Sequence, residues 1–323
     1  MVKTRLLTVV LMSIAALLGE GDVRASEVVS FEGAVQGELR RERSRSIDLA
    51  QVNVASAAEL ADYFWRRQPI SDFSFGQSGA DSASLSLLEA ADLRDQYVYQ
   101  LMSKLGSIAG YKAGLTSPAA QARFGVDHPL RGVLLQDMML ESGATVPASF
   151  GARPLFEADL IVRVSDAAIN QAETSEEALA ALDAVIPFIE LPDLMFGPNA
   201  NLDAASLTAV NVGARLGVMG TAIPIDATEE WMTALGNIQV EILDESGAIL
   251  AEGNSSALLG HPLEVVLWLR DDLKRSGQCL RPGDLLSLGS ITAPTPVSDI
   301  QILQARYQGL RQNDPVDVVV TFD

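Results

Sequence analysis

The 323 residues predict an α+β fold on a mixed or mainly antiparallel sheet. Three observations carry this. Short apolar runs of strand length recur along the chain, among them Leu155 to Val164, Val185 to Leu191, Leu285 to Leu288 and Val316 to Phe322. Asp244-Glu245-Ser246-Gly247 joins Ile238–Leu243 to Ala248–Ala251 as a hairpin. Helical periodicity is confined to a few segments, and one helix, from Pro262 to Ser276, begins on a proline and stops at Gly277.

In chain order, Lys3 and Arg5 precede an uncharged apolar run from Leu6 to Leu18, and Val23-Arg24-Ala25 supplies small residues before a cut after Ala25. Residues 1–25 therefore predict an export signal, and with it a periplasmic or secreted protein. The run is too short to span a bilayer comfortably, and no other segment is long and apolar enough to cross one. Residues 26–49 hold Arg40, Arg41, Arg43 and Arg45 without a sustained apolar period, as a solvated tether would. Residues 50–109 predict a helical cap: Leu60, Tyr63 and Phe64 share one face of a first helix, and Leu85 to Leu105 forms a second. Residues 110–323 then form the main domain, which the resemblance given below implies is catalytic.

Net charge is −19, without a basic stripe, which argues against a nucleic-acid partner. An acidic chain that binds an anion needs local positive charge. Cys279 is the sole cysteine, so no intramolecular disulfide forms, and two histidines leave little to activate a thiol. Both histidines, His128 and His261, precede a proline in a turn or at a helix start, and both read as scaffold. No P-loop, dinucleotide-binding, serine-hydrolase or zincin motif is present.

The chemistry concentrates between Pro154 and Glu190. Side chains alternate along a strand, so Glu157 and Asp159 point the same way while Phe156, Ala158, Leu160, Val162 and Val164 form the opposite face. The doublet alone reads as a surface strand with two solvated acids. Glu190, enclosed by Ile189 and Leu191 in the second apolar run, shifts the balance toward a cation site, because a buried carboxylate is costly without a partner and hard divalent ions prefer carboxylate oxygens. Thr174 and Glu177 form a capping box on a helix between the two runs, Thr174 to Asp183, and strand, helix, strand would bring Glu190 beside the doublet. Lys112 is one of four lysines in a chain whose default cation is arginine. It reads equally as a snorkelling surface lysine or as a compact, titratable ammonium.

Several stretches together resemble the fumarylacetoacetate hydrolase superfamily, and within it the 2-keto-4-pentenoate hydratase and 4-oxalocrotonate decarboxylase group. They are Gly110-Tyr111-Lys112-Ala113-Gly114-Leu115-Thr116, Gly125-Val126-Asp127-His128-Pro129, Gly132-Val133-Leu134 through Asp137-Met138, Leu259-Gly260-His261-Pro262-Leu263 with Trp268-Leu269, and Leu280-Arg281-Pro282-Gly283-Asp284. They run in the family's order over roughly residues 56–323. The resemblance implies a fumarylacetoacetase-like mixed β-sheet roll beneath an N-terminal helical cap, assembled as a homo-oligomer. It implies that Glu157, Asp159 and Glu190 ligate Mg²⁺ or Mn²⁺, with Asp159 shorter by a methylene than the family's usual Glu. Lys112 and Asp137 align with the active-site lysine and aspartate, and Asn211 with a family asparagine. Val210 and Arg215 depart from the pattern, and Arg215, if it faces the pocket, favours a substrate with a second carboxylate.

The activity so implied is metal-dependent hydration of a 2-hydroxy-2,4-dienoate to a 4-hydroxy-2-oxo acid. Decarboxylation of a 4-oxalocrotonate-type 2-oxo acid and acylpyruvate hydrolysis are alternatives on the same chelated enolate. Familiar members act in cytoplasmic catabolism of aromatic compounds, so an export signal is unusual. From another class, a non-catalytic periplasmic protein that binds metal and 2-oxo acid is motivated by Asp159, Val210 and the signal, and a purely structural domain would not need the retained acids.

Overall fold

The structure, a computed structural model, describes residues 56–70, 85–200, 202–298, 300–311 and 314–323. The expected export signal and tether lie outside the described residues. Helix α1 (56–66) and helix α2 (Leu87–Leu105) are the two helices expected within residues 50–109. The second starts two residues later than its apolar pattern because Ser86 and Glu89 form a reciprocal capping box, the Glu89 N–H donating to Ser86 Oγ (3.3 Å) and the Ser86 N–H to Glu89 Oε2 (2.9 Å).

Strand β1 (Ile108–Gly114) opens the principal sheet, and helix α3 (Pro118–Phe124) connects it to β2 (Leu130–Leu135). Short strands β3 (Met139–Glu141) and β4 (Ala144–Val146) lead to β5 (Leu155–Val164). Helix α4 (Ser175–Ala180) carries the chain into β6 (Leu182–Leu191). That helix is shorter than expected because β6 begins at Leu182. Its Thr174 cap accepts from the Glu177 N–H as predicted, but Glu177 reaches back to the Glu173 N–H instead of that of Thr174.

Helix α5 (Ala204–Ala209), strands β7 (Leu216–Met219) and β8 (Ile223–Pro224) and helix α6 (Glu229–Leu235) follow. The expected hairpin is β9 (Gln239–Leu243) with β10 (Ile249–Asn254), its turn held by Asp244 Oδ1, which accepts from the Ser246 and Ala248 N–H groups. His261 caps helix α7 (Pro262–Arg275), Nδ1 accepting from the Leu263 N–H, and so is scaffold as expected. Strands β11 (Leu285–Ser287), β12 (Thr295–Pro296), β13 (Ile302–Gln308) and β14 (Val316–Phe322) complete the described chain.

The sheets are mixed, as the sequence predicts. Among the described residues one has nine strands in the order β2-β1-β11-β5-β6-β7-β3, with β12 on β5 and β8 on β6, and the other runs β10-β9-β13-β14-β4. β1/β11, β3/β7 and β4/β14 are parallel pairs. Tyr307 of β13 ties the sheets together: its buried hydroxyl lies 2.9 Å from the Asp159 carbonyl and 2.5 Å from that of Phe188, and accepts from the Phe188 N–H.

Strand β5 is covered on both sides, which removes the solvated-strand alternative. Phe156, Ala158, Leu160, Val162 and Val164 join the main core together with Leu60, Phe64 and Tyr97 from the helices. A large side chain so buried contributes about 1.5–3 kcal/mol. On the other side Ile161 packs with Ile186 and Phe188 of β6 in a small second core. The acids lie on that second side.

Candidate functional site

The register of β5 and β6 builds the site. Glu157 stands directly across from Glu190, and Asp159 across from Phe188, so the face reads Glu157, Asp159, Ile161 against Glu190, Phe188, Ile186. On the far side of β5, β11 pairs with both β5 and β1, placing Lys112 opposite Ser287. One lysine and three carboxylates thus converge from three strands, β1, β5 and β6, with Ser287 of β11 between them. All are buried, with Lys112 3%, Glu157 4%, Asp159 0% and Glu190 2% exposed.

The Lys112 ammonium donates to Glu190 Oε1 and to the Val212 carbonyl at 3.1 Å. Two backbone features allow this. Gly132 lies across from Lys112, and a Cβ there would come within 2.8 Å of Lys112 Cγ and of the Asn211 carbonyl oxygen, so only glycine leaves room for the lysine stem. Asn211 and Val212 both adopt left-handed backbone, φ 59° and 53°, which for a β-branched valine is strained. Asn211 holds that turn: its side chain accepts from the Val133 N–H at 2.7 Å and donates to the Val133 carbonyl at 2.8 Å. The turn presents the Val212 oxygen to Lys112.

The charge balance is unfavourable as it stands. Burial, reinforced by the Glu190 carboxylate, pushes the Glu157 and Asp159 carboxyls well above the ordinary range. Burial alone would lower the Lys112 pKa, but the Glu190, Glu157 and Asp159 carboxylates together outweigh it and raise the ammonium's pKa. Glu190 Oε2 is buried with no hydrogen-bond partner. Ser290, half-buried, hydrogen-bonds Glu157.

This donor chemistry, oxygen-rich, anionic and short of a cation, fits a hard divalent ion at Glu157 and Glu190. The third expected ligand, Asp159, is held in place by hydrogen bonds to both of its oxygens. Asp159 Oδ2 accepts from Ser287 Oγ, and Oδ1 from the Leu160 N–H at 2.5 Å. Among the described residues no three acidic, histidine or cysteine side chains are gathered as a ready ligand set. Sequence reasoning missed Ser287, Ser290 and the Val212 carbonyl. A lone serine after Leu285-Leu286 was the available signal.

Two further expectations are corrected. Asp137 is exposed, in a 3₁₀ turn beyond the end of β2, whereas Lys112 pairs with Gly132 near the other end, so the strand length separates them. Arg215 does not face the cluster. It donates to the Phe64 carbonyl at 2.9 Å, lies 3.5 Å from Asp193 Oδ2, and stacks 3.8 Å over the Phe64 ring. It fastens α1 to the sheet. Asn211 is in the site's wall, acting through the backbone.

No family model matches the chain. It is 32% identical over 184 residues to 2-keto-4-pentenoate hydratase 1 of Dechloromonas aromatica, covering 57% of this chain and 68% of that one. It is 30% identical over 203 residues to 4-oxalocrotonate decarboxylase of Pseudomonas putida, covering 63% and 75%. Among solved structures, 4-oxalocrotonate decarboxylase from Pseudomonas putida G7, complexed with magnesium and adipate, superposes with a TM-score of 0.72 at 25% identity, over 85% of this chain and 98% of the other. The sequence relatives and the superposed structure agree, and the chain belongs to the 2-keto-4-pentenoate hydratase and 4-oxalocrotonate decarboxylase group of the fumarylacetoacetate hydrolase superfamily, a family of enzymes.

Proposed function

We propose that the protein is a divalent-metal-dependent hydro-lyase that adds water to 2-hydroxy-2,4-dienoates and yields 4-hydroxy-2-oxo acids. The observation that carries this is the buried face on which Lys112 is outnumbered by Glu157, Asp159 and Glu190 while Glu190 Oε2 has no partner. The hydratase relatives supply the reaction class. Mg²⁺ or Mn²⁺ at Glu157 and Glu190 would supply positive charge for the carboxylate and 2-oxygen of the substrate.

The chain's own residues supply the rest. Lys112, held between Glu190 and the Val212 carbonyl, would add a second positive charge beside the substrate's 2-oxygen and exchange a proton there. The dienol proton leaves the 2-oxygen as C5 gains one, and water then adds hydroxyl to C4 and hydrogen to C3. The second core beneath the acids keeps the face dry, which strengthens each charge–charge contact. The export and homo-oligomer expectations belong to this proposal and are tested by N-terminal sequencing of exported protein and by light scattering.

The test follows the ultraviolet absorbance of 2-hydroxypenta-2,4-dienoate with Mg²⁺ or Mn²⁺, then with EDTA. Loss of the dienoate signal, abolished by EDTA, with 4-hydroxy-2-oxopentanoate as product, is expected. An unchanged signal with bound metal would overturn hydration. The likeness to the solved decarboxylase makes carbon dioxide release from 4-oxalocrotonate the second assay.

A further inference from the structure

A side chain from the other sheet enters the β5–β6 ladder beside the acids. The Leu160 and Ala158 carbonyls accept from the Leu288 and Ile291 N–H groups (2.9 and 2.8 Å), so Glu157, Asp159 and Ile161 turn their backbone toward β6. The Pro187 carbonyl accepts from the Gly220 N–H at 2.8 Å, which leaves Phe188 facing β5. Asp159 and Phe188 are register partners, and a pair facing this way normally exchanges both of its N–H···O bonds. Tyr307, 0% exposed, brings its hydroxyl to that pair. The hydroxyl accepts from the Phe188 N–H at 3.2 Å and lies 2.9 Å from the Asp159 carbonyl oxygen, the acceptor that a regular ladder gives to that N–H. Burial pushes the phenol's pKa above its ordinary range, so the hydroxyl keeps its proton and donates as well as accepts.

Glu157 and Glu190 form the next pair on the same face, about 6.6 Å along the strand. Like charges placed directly opposite repel, and a bound cation draws them together, so the acids by themselves fix no spacing. The hydroxyl is bonded to both strands and anchored in a third, β13 of the other sheet. We propose that Tyr307 is a positioning residue whose hydroxyl sets the β5–β6 gap at the acids, and thereby the size of the cation they hold. This rests on the metal-dependent reading above. Mg²⁺ takes oxygens at about 2.0–2.1 Å and Ca²⁺ at about 2.3–2.6 Å, so a small change in the gap favours one ion over the other. Without the hydroxyl, the Phe188 N–H and the Asp159 carbonyl bond directly, β6 closes on β5, and the smaller ion gains.

The experiment loads the purified full-length protein with Mn²⁺, reads free ion by electron paramagnetic resonance, and displaces it with Mg²⁺ or Ca²⁺, independently of turnover. Tyr307→Phe is expected to shift the ratio of Mg²⁺ to Ca²⁺ affinity toward Mg²⁺ by about threefold or more. A role confined to stability would leave that ratio unchanged, as is expected of Leu303→Ala, which removes buried core from the same strand. An unchanged ratio in folded Tyr307→Phe, or a shift toward Ca²⁺, overturns the proposal while leaving the metal centre standing. Should Tyr307→Phe not fold, Glu157→Asp decides. In a fixed gap its shorter side chain enlarges the cavity and moves the ratio toward Ca²⁺, whereas an unchanged ratio shows strands free to follow and overturns the proposal. Mn²⁺ binding that Glu157→Gln and Glu190→Gln both leave intact removes the metal centre itself, and the proposal with it.

Discussion

Two buried ion pairs in this protein are built to opposite specifications. Around Asp193 every donor and acceptor is matched: the carboxylate accepts from the N–H groups of Ala152 (2.9 Å), Arg153 (2.8 Å) and Met195 (3.1 Å), with Arg215 alongside on the Phe64 ring. Gly151 permits this closeness, because a Cβ there would sit 2.5 Å from Asp193 Cγ. Around Glu190 the pairing is incomplete: one ammonium faces three carboxylates, and one oxygen has no partner. The first arrangement joins the cap helix to the sheet. The second stores an unmet demand for positive charge, which a structural pair would not be left with.

Breaking the satisfied pair should have the largest effect on stability. Asp193→Ala strands three backbone N–H groups and the Arg215 guanidinium, and is expected to cost about 3–5 kcal/mol in denaturant titration. Lys112→Met should act on turnover, lowering kcat by about 10²- to 10³-fold, equivalent to about 2.7–4 kcal/mol. A Lys112→Met protein that keeps full kcat would remove the lysine from the chemistry.

The unmet demand also predicts a pH dependence. The folded carboxyls of Glu157 and Asp159 are raised, so above the ordinary carboxylate range the metal-free folded chain still binds protons that the unfolded chain has released. Stability of the EDTA-treated protein therefore falls as pH rises through that window. Mn²⁺ should restore it increasingly toward higher pH, contributing about 2.7 kcal/mol at a hundredfold excess over Kd. Thermal melts with and without Mn²⁺ check this, and a Mn²⁺ increment that shrinks as pH rises would contradict it. The smallest effect belongs to the solvent-facing pair Arg163–Asp183, whose side chains are 40% and 46% exposed. Arg163→Gln should change stability by about 0–1 kcal/mol.

Much of the site was legible because its residues lie on strands. The two-residue period places Glu157 with Asp159, and a carboxylate enclosed in Ile189-Glu190-Leu191 announces itself as out of place. Asp137 misled because a motif match carries order along the chain but not distance across it, and a strand's length separates it from Lys112. Arg215 misled because its role depends on Phe64, which is 151 residues away.

By itself the sequence determined the element types, the mixed-sheet class, the excess of acids over lysines on one strand pair and the family, since these follow from local periodicity, composition and ordered motifs. Only the tertiary structure decided that Glu157 faces Glu190, that Lys112 lies between Glu190 and the strained Val212 turn, and that Asp159 turns to Ser287. Those outcomes depend on strand register and on which strand lies beside which, and both are set by packing between segments far apart in the chain.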